Sequence, residues 1–340
     1  MTEYTPPTNF DFGAATLQGF KLPGGKSYLI RVAAWTAILI TIVYVALGAP
    51  VVRAYVELFQ NFYEMELNLD GSAPDNEVVL AVMAPMFRAM GVMFLIGFLQ
   101  IAVFAAAETA IYRNLFHNED RGFFPLTFGM DELRVLGTRI VVGFILGGIY
   151  LLMFLLYAVM GMIGVAGSGV LAALGGLLTF FITLAAIAGF IWSAVRLAPS
   201  SAYSVKLRAF NPIASWAPMR GQVWSAIGGY LILYLVGYFI VGFILMIVFM
   251  LLFMSSGILG VLMKIDDTTG ELPDFSPVWE HLTSAGFIIP LIIAILISMF
   301  LSMIWYGMIW SMWGYFAKDE KEPEYWKPEK NDDPDLSKSL

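Results

Sequence analysis

Long apolar runs alternate with short polar joints along this chain. Mainly apolar stretches occupy residues 28–50, 89–112, 139–166, 169–195, 223–254 and 285–316. A helix needs about 20 such residues to cross the hydrocarbon layer, and each run reaches that length. The strands of a membrane barrel would instead show short segments of alternating polarity. The pattern therefore predicts an all-α polytopic membrane protein with six transmembrane helices. The third and fourth runs meet at Ala166-Gly167-Ser168-Gly169, a turn too tight to hold an extramembrane domain.

The polar joints have a recurring plan. Residues 10–31, 123–139 and 210–223 each combine aromatic and amphipathic character with a basic residue, then lead into an apolar run. In the third, Asn211-Pro212 is a helix start signal and Pro218 a stop. The expected arrangement is three helical hairpins, each preceded by a short interfacial helix on the cytoplasmic side. Three regions result: a cytoplasmic N-terminal segment (1–27), a six-helix domain (28–316) and a disordered, acidic, proline-containing tail (317–340). The first 20 residues are polar or amphipathic and do not read as a signal peptide, so the first span is expected to remain. Helical sequence continues past Pro50 to about residue 62, and runs from 77 through Arg113. Two helices should thus rise beyond the outer leaflet, the second kinked near Pro85.

Composition sharpens this picture. The chain is 59% hydrophobic and only 13% charged, about half the charge of a soluble protein. A net charge of −7 gives no basic surface for nucleic acid. Sixteen of the 19 Lys and Arg fall in the N-terminal segment, the second-to-third joint, the fourth-to-fifth joint and the tail. Arg53, Arg88 and Lys264 lie on the other side. By the positive-inside rule both termini are expected to be cytoplasmic. The outer loops are acidic, and Asp70-Gly71-Ser72 and Asp266-Asp267 do not match a calcium-loop spacing.

Chemistry is sparse. Cysteine is absent and the two histidines, His117 and His281, fall on opposite sides by this topology. No phosphate-binding, zinc or nucleophile-elbow motif occurs, so neither catalytic residues nor cofactors are expected. Glu108 stands out, one turn inside the second span in Ala105-Ala106-Ala107-Glu108. A carboxylate at that depth needs a partner; Arg113 and the arginines of the adjacent joint are candidates, for a structural pair or a relay. At the outer ends, Arg53 and Arg88 can pair with Glu57 and its acidic neighbours, or snorkel to lipid. Gly143 with Gly147, and Ala172 with Gly176, offer small faces for packing the third span on the fourth. Trp305, Trp310, Trp313, Tyr306 and Tyr315 read as an aromatic belt.

The stretch from Ile191 to Ser200, with Arg196-Leu197-Ala198-Pro199, is followed by Phe210, Ser215-Trp216 and Arg220-Gly221-Gln222-Val223-Trp224. Together with Glu119-Asp120-Arg121-Gly122-Phe123 and Asp131-Glu132-Leu133-Arg134, it resembles uncharacterised six-helix proteobacterial inner-membrane proteins. These are similar to the membrane domain that accompanies glycerophosphoryl diester phosphodiesterases. The resemblance implies a bacterial inner-membrane location and this fold, and no established activity; the phosphodiesterase domain with its acidic metal site has no counterpart in this sequence. The expected function is non-enzymatic: interaction with membrane lipids, or an accessory role with a protein partner or a second copy of the chain. The alternative is a small-solute or lipid transporter.

The charge asymmetry makes the topology testable. Reporters fused after Ala317 or within residues 117–130 should behave as cytoplasmic, and fusions within 66–76 or 266–276 should be exported. A periplasmic signal from the tail would overturn the orientation.

Overall fold

A computed structural model describes residues 12–68, 76–166, 169–255, 280–281 and 284–318, and every structural statement concerns these. The regular elements are all helical. They are α1 (Phe12–Thr16), a 3-10 turn (Gln18–Lys21), α2 (Gly25–Asn68), α3 (Asn76–His117), α4 (Met130–Ala166), α5 (Val170–Leu197), α6 (Ser200–Lys206), α7 (Val223–Ser255) and α8 (Ala285–Lys318). Six helices, α2 to α5, α7 and α8, are long and apolar enough to cross a membrane.

α2 and α3 contain 44 and 42 residues, about 65 Å each at the rise of an α-helix. Pro50, Pro85 and Pro290 lie inside helices, where each removes one backbone donor. A ladder of side-chain contacts fixes the pairing of α2 with α3. Tyr28 donates to the Ala110 carbonyl at 2.9 Å, Tyr44 to Gln100 at 3.2 Å, and Arg88 to Glu57 at 2.8 Å. The residue numbers rise on one helix as they fall on the other, so the two run antiparallel in register.

Burial is concentrated at one end. In α4 the buried side chains all precede Phe144; in α5 they begin at Val195; in α7 none follows Gly237. The corresponding stretches of the other helices, Tyr28 to Thr41 on α2, Ala105 to Leu115 on α3 and Met303 to Ala317 on α8, are densely buried. Arg31, Arg113, Arg139, Arg196 and Arg208 sit in this half, which we call the basic end. Away from it, the described faces of α4, α5 and α7 display Phe144, Phe154, Phe180, Phe239 and many other large apolar side chains.

α8 is central, packed on α2, α3, α7 and the 3-10 turn. Close approach is allowed by Gly307, which receives Leu29, and Gly314, which receives Leu115. On α7, Gly237 lies directly under the indole of Trp305. This position also changes the reading of the α8 aromatics. Trp310 and Trp313 are buried core residues, and Trp313 stacks on Tyr230 with centroids 5.9 Å apart. A helix with neighbours on several sides turns its aromatics inward, whatever their level in the bilayer.

Two further expectations differ from the structure. Gly143, Gly147 and Gly176 face open space, while the side chain of Ala172 lies outside the described residues. Between α4 and α5 lies a cavity of about 260 Å³, lined by Tyr150, Phe154 and Tyr157 of α4 and by Thr179, Thr183 and Ala186 of α5. Of the three segments read as short helices, the first forms α1 and the 3-10 turn. In the second, helix begins only at Met130 and belongs to α4. The third, 212–222, is a series of turns: Asn211 does accept the Ile213 N–H at 3.3 Å, but most of the following bonds skip two residues, as Trp216 N–H to Ile213 C=O does. The acidic residues 69–75, the 266–267 pair and the tail from 319 lie outside the described residues.

The glycine contacts separate two kinds of position. Gly237→Ala forces the Trp305 ring to move and should cost about 1–3 kcal/mol, read as a lower melting temperature in detergent. Gly143→Ala, facing open space, should cause no loss. Equal effects of the two substitutions would contradict the packing described.

Candidate functional site

The polar chemistry of the basic end is built where α3 finishes, α4 begins and α6 is inserted between them. Gly129 precedes α4 and Glu132 stands three residues later, the spacing at which a carboxylate reaches back over a helix start. Glu132 accepts the Gly129 N–H at 2.9 Å, while the Leu133 N–H bonds the Gly129 carbonyl at 3.1 Å. The same carboxylate meets Arg113 at 2.6 Å, with both side chains only 4% exposed. Thr127 joins them, accepting from Arg113 at 2.7 Å and donating to Glu132 at 2.8 Å. Glu132 thus caps α4 and neutralises the last turns of α3.

Glu108 lies five residues before Arg113 on α3 and is 2% exposed. Arg139 grips it with two bonds, Nε to Oε2 at 2.9 Å and a terminal nitrogen to Oε1 at 2.5 Å. Ser201 of α6 adds a third donor at 2.5 Å. Bidentate geometry makes such a pair strong and directional. The fully buried Tyr112 hydroxyl lies beside the same carboxylate and serine, without a hydrogen bond of good geometry.

α6 fits because it is made of small or weakly polar residues, Ser200-Ser201-Ala202-Tyr203-Ser204-Val205, all buried. Its hydroxyls are each used. Ser204 meets Thr138 of α4 at 3.0 Å, and Ser200 meets Ser215 at 2.6 Å. Ser215 donates to the Arg196 carbonyl at 2.5 Å. Lys206 closes the far side, donating to the Ala317 carbonyl of α8 at 2.6 Å. A seven-residue helix therefore ties α3, α4, α5 and α8 together through side chains.

Outside this buried layer, Arg31 bonds Asp120 at 2.5 Å and the Gly122 carbonyl at 2.5 Å, and Trp35 donates to the Phe123 carbonyl at 2.8 Å. These contacts strap the 118–129 loop to α2. The hydrogen bond from Arg31 holds the Asp120 carboxyl below its ordinary range. A depressed carboxyl stabilises the fold above the ordinary carboxylate range, and acidification through its lowered value removes that contribution. With both side chains partly exposed, the effect is screened and small.

The residues singled out from sequence divide accordingly. Glu108 and Arg113 both lie in the buried layer, but Arg113 pairs with Glu132 and not with Glu108. Five residues along a helix is a rotation that points the two side chains to different neighbours. Arg53 and Arg88 both contact Glu57, at 3.3 and 2.8 Å, at the opposite end and with exposed guanidinium groups. Pairs of this kind contribute about 0–1 kcal/mol. Glu132, Ser201 and α6 were missed; the Gly-x-x-Glu spacing ahead of an apolar run was the available signal for the first. Among the described residues no three His, Asp or Glu side chains converge as a metal site would require.

Comparison with known proteins found no matching family model, no matching curated protein and no matching solved structure.

The pairing pattern predicts specific couplings. Glu108→Ala leaves Arg139, itself only partly buried, without its counter-charge and should destabilise by about 1–3 kcal/mol, with Glu108→Gln milder. In double-mutant cycles Glu108 should couple strongly to Arg139, and within about 0.5 kcal/mol not at all to Arg113. Strong coupling to Arg113 would contradict the geometry.

Proposed function

We propose that this chain is a non-enzymatic, lipid-interacting membrane scaffold, residing in a bacterial inner membrane with its basic end and both termini on the cytoplasmic side. The observation that carries the reading is the gradient of burial. Helices locked together at the basic end leave extensive apolar faces of α4, α5 and α7 uncovered over the rest of their length. In a bilayer those faces meet acyl chains or the helices of a partner. The cavity between α4 and α5 fits the same use. Its two threonines spend their hydroxyls on their own helix, Thr179 on the Gly175 carbonyl at 2.8 Å and Thr183 on Thr179 at 2.7 Å. What remains is an apolar lining, suited to hydrocarbon more than to water. The short α1 and 3-10 turn belong, on this reading, at the headgroup interface.

Glu108 speaks for structure and against proton transport. Its carboxylate already receives three hydrogen bonds, two from a guanidinium, so its acceptor capacity is spent on joining α3, α4 and α6.

Native mass spectrometry of the full chain from mild detergent should find retained phospholipid. Vesicles holding a pH-sensitive dye should show no proton flux with either the wild type or Glu108→Gln under an imposed gradient. A wild-type flux abolished in Glu108→Gln would overturn the scaffold reading, as would a preparation that never retains lipid or a protein partner.

A further inference from the structure

Arginines of the described residues have carboxylate partners almost throughout: Arg31 has Asp120, Arg53 and Arg88 share Glu57, Arg113 has Glu132, Arg121 and Arg208 share Glu119, Arg134 has Asp131, and Arg139 has Glu108. Arg196 and Arg220 make no ion pair among these residues, and Arg220 stands in the turn that packs on Arg196, its N–H bonded to the Ala217 carbonyl at 3.0 Å. Among the described residues these two cations have no anion between them, an unbalanced charge at the foot of an apolar bundle.

The surroundings are built rather than loose. The Arg196 guanidinium lies 4.6 Å from the Trp192 ring and 4.3 Å from the Trp216 ring, and the two indoles meet edge to face at 5.3 Å. It also donates to the Trp216 carbonyl, while its buried Nε has no acceptor. Ser215 is pinned by Ser200 and to the Arg196 carbonyl, so the turn carrying Trp216 is held against the end of α5. Gly221, at φ +91°, then turns the chain sharply into α7 and leaves Arg220 exposed. Trp192, Trp216 and Trp224 each keep an exposed surface. Tryptophans flanking arginine at the end of apolar helices mark the headgroup level of a bilayer.

We propose that Arg220 and Arg196, framed by Trp192 and Trp216, bind the phosphate of an anionic phospholipid headgroup. Arg220 supplies charge-assisted hydrogen bonds at the surface, and Arg196, clamped between indoles, supplies a fixed charge beneath. The acyl chains have somewhere to go. The cavity lining on α5, from Thr179 to Ala186, begins ten residues along the same helix, about 15 Å deeper. This inference rests on the lipid-interacting reading and gives it a site and a headgroup class.

Full-length protein in a zwitterionic detergent would be titrated with phosphatidylglycerol, phosphatidylcholine and inorganic phosphate. Lipid-bound species are read by native mass spectrometry and the melting temperature in parallel. Phosphatidylglycerol should bind and raise the melting temperature, whereas the other two at equal concentration should not. Arg220→Gln should keep the wild-type melting temperature without lipid and lose about tenfold in phosphatidylglycerol affinity, the scale of one charge-assisted hydrogen bond. Arg121→Gln, a paired arginine on the 118–129 loop, should bind as wild type does. Equal affinity of Arg220→Gln and wild type would overturn the site while leaving general lipid retention standing. Stabilisation by inorganic phosphate to the same degree would overturn the headgroup assignment. Retention of neither lipid by any variant would overturn the underlying lipid reading as well.

Discussion

A carboxylate buried among apolar helices has to be neutralised, and in this protein that requirement organises the fold. Glu108 cannot be satisfied by α3 alone. Its partners come from α4 through Arg139 and from α6 through Ser201, so three separate segments must meet for one charge to be tolerated. A second buried pair, Arg113 with Glu132, repeats the logic a turn away and fixes where α4 begins. Breaking either pair leaves a lone charge in a medium that solvates it poorly, which makes the joint all-or-none in character. Apolar contacts alone would not specify such a meeting point, because hydrocarbon tails solvate a leucine as well as another leucine does.

The remaining architecture follows from where that joint lies. It sits at the basic end, and dense burial is confined to its vicinity, apart from the α2–α3 seam with its ladder of side-chain contacts. α4, α5 and α7 leave the joint and, among the described residues, bury no further side chain beyond Val142, before Val195 and beyond Gly237 respectively. Their large apolar residues stay uncovered in the isolated chain. In water this would be an aggregation hazard; in a bilayer it is surface available to lipid or to a partner.

Much of this was legible in the sequence, for reasons of scale. Apolar runs of this length have one stable solution in hydrocarbon, so the six long helices needed no more than residues such as those of 223–254 to be foreseen. Glu108 was equally visible as a charge among alanines. What stayed hidden depended on tertiary neighbours. Nothing local distinguishes Arg139 from Arg113 as the partner of Glu108. The helical fate of Ser200–Lys206 rests on cavities and carbonyls supplied by other helices. Small residues misled in the opposite direction: Gly143 and Gly147 have the spacing of a packing motif and face open space, whereas Gly307 and Gly314 on α8 do the packing. Spacing reports that a face is smooth, not that something lies against it.

The central claim is that the Glu108 joint holds the helices in their arrangement. The chain contains no cysteine, so spin labels can be introduced freely at exposed positions. Distances would be measured by pulsed electron resonance between Phe123 and Arg208 at the basic end, and between Phe59 and Met162 at the other, in wild type and in Glu108→Ala. The account predicts a narrow basic-end distribution in wild type, a broader one at the far end, and marked broadening of both in Glu108→Ala. Distributions unchanged by Glu108→Ala would contradict it.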